Sequence, residues 1–103
     1  MNQRFVHVVN FWLKKGLSQE QLRQFEAGLR SLGDIRGVSF FHMGTPAPTH
    51  RPVIDRSYDY CLLCVFDRME DHDAYQVDPV HDAFRDTCSP LWDRVLIYDS
   101  LSV

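Results

Sequence analysis

The chain has 103 residues, 45% of them hydrophobic, with a formal charge of −3 and a pI near 5.9. That length suits one domain with one core and not two. Its apolar runs, such as Cys61 to Phe66, fall well short of the ~20 residues of a membrane span, and mild acidity argues against nucleic acid, whose partners cluster Lys and Arg.

Met1-Asn2-Gln3-Arg4 leads into an alternating strand and not into a basic, apolar and cleavable leader, so a cytoplasmic location with no membrane segment is expected. Phe5 to Leu13 is rich in β-branched and aromatic residues and reads as the first strand, closed by Lys14-Lys15-Gly16. His7, Val9, Phe11 and Leu13 share one face, and Val6, Val8, Asn10 and Trp12 the other. Two semi-apolar faces call for cover on both sides.

Ser18-Gln19-Glu20-Gln21 has the form of a capping box. Leu22, Phe25, Leu29 and Leu32 follow as an apolar helical stripe, with Gly33 to end it and Arg23, Glu26 and Arg30 on a solvated face. Gly37 to Gly44 reads as a second strand. Thr45 to Ser57 holds three of the five prolines and is expected to be an irregular, mobile loop bordering a functional mouth. Tyr58 to Phe66 is the third strand, with Tyr58, Tyr60, Leu62, Cys64 and Phe66 on one face and Asp59, Cys61, Leu63 and Val65 on the other.

Asp67 to Glu70 suggests a second capping signal, opening a short helix that carries Tyr75. Asp78 can cap a further helix, with Pro79 at its first position and His81 in its first turn. Phe84, Cys88, Leu91 and Trp92 extend an apolar stripe broken at Ser89-Pro90, and Val95 to Asp99 reads as the fourth strand.

Cys61 and Cys64 have redox-like spacing, but on a strand an odd separation sends the two side chains to opposite faces, so three free thiols are expected. The element order βαββαβ describes an α+β, ferredoxin-like domain spanning residues 1–103: a four-stranded antiparallel sheet with helices on one face. The bare face would carry Val6, Val8, Trp12, Leu63 and Val65, too much apolar area for a soluble monomer. A homodimer joined across that face is expected, with Trp12 as an anchor.

His7-Val8-Val9-Asn10-Phe11, Tyr58-x-Tyr60, the run Ala74 to Phe84 with its Tyr75 and Asp78-Pro79-Val80-His81, and the closing Val95 to Asp99 resemble the stress-responsive A/B barrel (Dabb) family over nearly the whole chain. The resemblance implies a dimeric α+β barrel with a pocket between sheet and helices. Many such proteins have no established activity, while a plant branch closes polyketide rings by aldol condensation without metal or cofactor. It further implies His81 as base with Tyr75 in support, and His7, Leu62 and Trp92 lining the pocket. The motif usually begins with histidine where this chain has Asp78, a change that alters pocket polarity and still suits a helix cap.

A neutral imidazole can take a proton from carbon next to a carbonyl, and a phenol or second imidazole can donate to the enolate oxygen. Against that chemistry stands a plainer reading, in which His81 only completes the helix start and hydrogen-bonds a strand. Phe84, Tyr58, Tyr60 and Phe66 are most simply core, although an aromatic wall suits a flat ligand. His42, His50 and His72 are expected to be exposed or near loops, and no metal spacing is present, so neither metal nor cofactor is expected. The reading favoured is a homodimer binding a small apolar or aromatic molecule, with a cofactor-free cyclase, isomerase or lyase and a purely structural stress protein as alternatives.

Overall fold

A computed structural model describes residues 3–103; Met1 and Asn2, with which the reading of the amino terminus begins, lie outside the described residues. The elements are β1 (Phe5–Leu13), α1 (Gln19–Leu32), β2 (Val38–Gly44), β3 (Tyr60–Phe66), α2 (Met69–Gln76), α3 (Pro79–Cys88) and β4 (Trp92–Leu101). The strands form one antiparallel sheet in the order β2-β3-β1-β4. This is the ferredoxin-like arrangement that the order of elements predicts.

Strand β1 sits at the centre and alternates strictly: Phe5, His7, Val9 and Phe11 are buried, while Val6, Val8, Asn10 and Trp12 are half-buried. The buried set meets all three helices, for Phe11 packs on Phe25 of α1 and Phe84 of α3, and His7 on Tyr75 of α2. The helices therefore lie on one side of the sheet. On the other side Val8 stands between Leu63 and Tyr98, and Val65 between Val6 and Phe40, with Phe40 and Tyr98 largely exposed.

Helix α1 begins at its capping box, where Gln21 N–H donates to Ser18 Oγ at 3.1 Å and Ser18 N–H to Gln21 Oε1 at 2.9 Å. Phe25, Leu29 and Leu32 are fully enclosed. Gly33 ends the helix with an ordinary right-handed φ of −67°, and its lack of a side chain serves packing, since a Cβ there would stand 2.7 Å from the Phe41 ring. Glu26 departs from its expected solvated role. It accepts a hydrogen bond of 2.5 Å from the Tyr60 hydroxyl, and burial together with that carboxylate pushes the phenol up to about 12.

Several boundaries differ from the sequence reading. Strand β3 starts at Tyr60, not Tyr58, because its pairing with β1 runs out at Phe11. Strand β4 exceeds Val95 to Asp99 because it pairs with the whole of β1, from Leu101 opposite Phe5 to Trp92 opposite Leu13. Trp92 thus opens a strand and does not extend a helical stripe; a single 3₁₀ turn, Ser89–Leu91, separates it from α3. The capping signal at Asp67 also fails. Arg68 holds the N-cap position with no side-chain cap, since Asp67 lies one residue too early. Asp78 does cap α3, accepting from Val80 N–H at 2.8 Å, with Pro79 in the first turn.

Cys61 and Cys64 point to opposite faces, and all three thiols are free. Among the described residues no helix is long and apolar enough to cross a membrane.

Candidate functional site

A cavity of about 230 Å³ lies between the sheet and the helices. Its floor is His7, Val9 and Phe11 of β1 and Leu62 of β3. Tyr75 and Gln76 of α2, His81, Phe84 and Arg85 of α3, and Leu32 of α1 form the opposite wall, while Trp92, Val95 and Ile97 of β4 close one side. Tyr75, His81, His7, Leu62, Trp92 and Phe84, each singled out from the sequence, are therefore brought to one space. Fold geometry explains this convergence: the inward period-two positions of β1 and β3 meet the inward faces of two consecutive helices.

The mouth lies along β4. Val95 and Ile97 belong to the helix-covered face by register, yet remain 39% and 49% exposed, so the helices stop short of this edge. No residue of the Thr45 to Ser57 loop lines the cavity, contrary to the expectation of a loop-bordered entrance. The last residue of that segment meets the other face of the sheet, where the Trp12 indole N–H donates to Ser57 Oγ at 3.0 Å.

His81 is buried, 8% exposed, on the first turn of α3. Its Nδ1 has no hydrogen-bond partner among the described residues, so the plainer reading, a histidine bonded to strand or backbone, finds no such bond here. Desolvation, aided by the charge of Arg85, lowers its pKa and keeps the ring neutral. The Tyr75 ring stands edge-on to it, with centroids 5.0 Å apart. Tyr75 is fully buried, and among the described residues its hydroxyl meets only the Cys64 thiol, which donates across 3.9 Å. Burial raises the phenol's pKa and pushes the thiol up to about 11, so both remain protonated at neutral pH.

His7 is bound differently. Its Nδ1 lies 2.5 Å from Asp99 Oδ1, a cross-strand pair between β1 and β4. Donation from Nδ1–H to the carboxylate fixes the tautomer that leaves Nε2 as an acceptor. Burial lowers the His7 pKa, and the bond to Asp99 opposes this in part.

Two residues near this site escaped the sequence reading. His72, expected near a loop, is buried at 8% exposure and stacks on Phe5 with centroids 4.1 Å apart. Its signal was present, because it precedes Tyr75 by three residues and so shares that residue's helix face. Asp99 continues the Val95, Ile97 alternation, which carries it to the inward face opposite His7.

Comparison with known proteins agrees with this architecture. Residues 5–102 match the family described as the Stress responsive A/B Barrel Domain. A Dabb family protein with a ferredoxin-like fold from Mesorhizobium loti is 26% identical, with 98% of each chain covered and a TM-score of 0.78. The hydroxynitrile lyase of Passiflora edulis is 19% identical, with a TM-score of 0.81 over 100% of this chain and 96% of its own. A dimeric ferredoxin-like protein of unknown function from Thermobifida fusca is 18% identical, with a TM-score of 0.77 over 97% and 92%. The last two likenesses carry the fold alone. No curated protein matches the sequence.

Proposed function

Because this chain belongs to the stress-responsive A/B barrel family, we propose that it binds a small single-ring aromatic or apolar compound bearing one hydroxyl or carbonyl group. The observation that carries this reading is buried His81, which lines an otherwise largely apolar cavity and whose Nδ1 has no hydrogen-bond partner among the described residues. A buried polar atom without a partner costs about 1–3 kcal/mol, a cost that a ligand's polar group would recover. Size limits the ligand: about 230 Å³ lies below the ~300–1,000 Å³ usual for drug-sized molecules. Amide chemical-shift mapping with 4-hydroxybenzaldehyde tests the proposal. Shifts at Val9, Leu62 and Phe84 that vanish in His81→Phe, whose ring fills the space, are expected; shifts elsewhere, or none, would reject it.

A second reading, proton transfer, draws support from the nearness of two neutral imidazoles, His81 and His7, the latter held by Asp99. His81 would remove a proton from carbon beside a carbonyl, as in the first step of an aldol condensation, with His7 or Tyr75 as further polar groups. The structural likeness to a hydroxynitrile lyase agrees with carbonyl chemistry on this fold by analogy only. Deuterium uptake at the methyl group of acetophenone in heavy water measures such a step directly. Uptake at the buffer rate would leave binding without turnover, and faster uptake that is unchanged in His81→Ala would remove His81 as the base.

For assembly, the favoured state is a homodimer with Val8, Leu63, Val65 and Trp12 at its seam. The apolar character of that bare face supports it, and several structural neighbours are described as dimeric. Leu63→Asp should halve the mass seen in sedimentation; an unchanged mass would point to another interface.

A further inference from the structure

We propose that His7, His72 and Asp99 form a binding site for one divalent transition-metal ion of the zinc type, at the border of the cavity, with which it shares His7. Each offers a ligand atom, and the three atoms lie within 4.8 Å of one another. Two imidazoles and one carboxylate are the donor set that zinc, cobalt and non-haem iron(II) take, and three protein ligands leave a further position open. Far apart in sequence, on β1, α2 and β4, these residues have no motif spacing, which is why the ligand pattern is invisible before folding.

Four features favour an ion over a chance cluster. Both histidines are buried, at 2% and 8% exposure, and a buried imidazole held in place is a better-organised ligand than a surface one. The carboxylate is the mobile partner, 39% exposed, so it can move to the spacing an ion requires. Metal–ligand bonds of about 2.0–2.2 Å put neighbouring donors roughly 3.3 Å apart; His7 Nδ1 and Asp99 Oδ1, now 2.5 Å apart, need to open by under an ångström or so. Finally, both nitrogens of His72 have company: Gln76 Nε2 lies 3.1 Å from its Nε2 and Asp73 Oδ1 3.3 Å from its Nδ1. Whichever nitrogen turns to the ion, the other keeps a side chain to orient the ring, the outer-shell support typical of metal sites.

The ion would act on the cavity through His7, the one member of the three that lines it. Coordination through Nδ1 displaces the hydrogen bond to Asp99 and moves the ring proton to Nε2. His7 then changes from acceptor to donor toward the pocket, and its role toward a ligand changes from base to hydrogen-bond donor.

Chelator-treated protein titrated with Co²⁺ and Zn²⁺ tests the site, by visible absorption and calorimetry. One ion per chain with micromolar affinity or better is expected, with the visible bands of four- or five-coordinate Co²⁺ and no near-ultraviolet thiolate band, which would betray the cysteines. His72→Phe, which keeps the stacking on Phe5, and Asp99→Ala, a half-exposed position, should each weaken binding ~10-fold or more, while His50→Ala in the distant loop should not. Equal affinity in wild type and Asp99→Ala, or a thiolate band, overturns the proposal. Neither varied residue lines the cavity, so this outcome is independent of the ring-compound binding proposed above.

Discussion

Replacing Tyr75 by phenylalanine removes one oxygen from the largest of the fully buried side chains of the described residues. That oxygen now receives only a thiol hydrogen across 3.9 Å, and its own hydrogen finds no acceptor among the described residues. Burying a hydroxyl without a good bond costs about 1–3 kcal/mol, and a sulfur donor at this distance returns well under the ~1 kcal/mol of an ordinary bond. Tyr75→Phe should therefore raise stability by about 1 kcal/mol, or about 4–8 °C in Tm for a domain of this size. Tyr75→Ala instead removes the ring packed on His7, Phe66 and His81, and should cost about 3–5 kcal/mol. Urea unfolding at fixed protein concentration measures both, the concentration mattering if subunits associate. A loss above ~1 kcal/mol in Tyr75→Phe would mean that the hydroxyl is strongly bonded, and the account of this core would be wrong.

At Gly28 a Cβ would lie 2.5 Å from Cys88 Sγ and 3.1 Å from Phe84, so Gly28→Ala should lose about 1–3 kcal/mol to overpacking despite ~1 kcal/mol of helix propensity gained. In a Cys88→Ala background most of that loss should vanish, a coupling that a double-mutant cycle reads. Asp78→Ala should cost about 1 kcal/mol by removing a helix cap, whereas Asp67→Ala should change nothing beyond ~0.5 kcal/mol in chemical denaturation. His81 has a folded pKa below its unfolded value, so its contribution is complete above about 6.5 and is lost as pH falls toward the folded value. Stability measured between pH 8 and 5, on the order of that range, should fall less steeply in His81→Gln than in wild type; identical slopes would show that His81 is solvated.

Much of this fold was legible because its signals are local and mutually consistent. Ser18 to Gln21, Asp78-Pro79 and the alternation of Phe5 to Leu13 each dictate their own element with little help from elsewhere. The errors fall where tertiary context decides. Pairing with β1 lengthened β4 back to Trp92, and Glu26 left the solvated face because Tyr60 on a distant strand supplied a hydroxyl. The pocket was legible through a family likeness that marked Tyr75 and His81. His72 and Asp99 were not, because their approach to His7 depends on the angle between α2 and the sheet, which no periodicity encodes.

Consecutive residues of β1 answer to different masters. Val9 shapes the floor of the chamber, while its neighbour Val8 faces away from every helix. Because the pleat separates them so cleanly, a substitution can reshape the chamber without touching the opposite surface of the sheet, and the reverse. Such independence lets one small scaffold diversify in two directions at once.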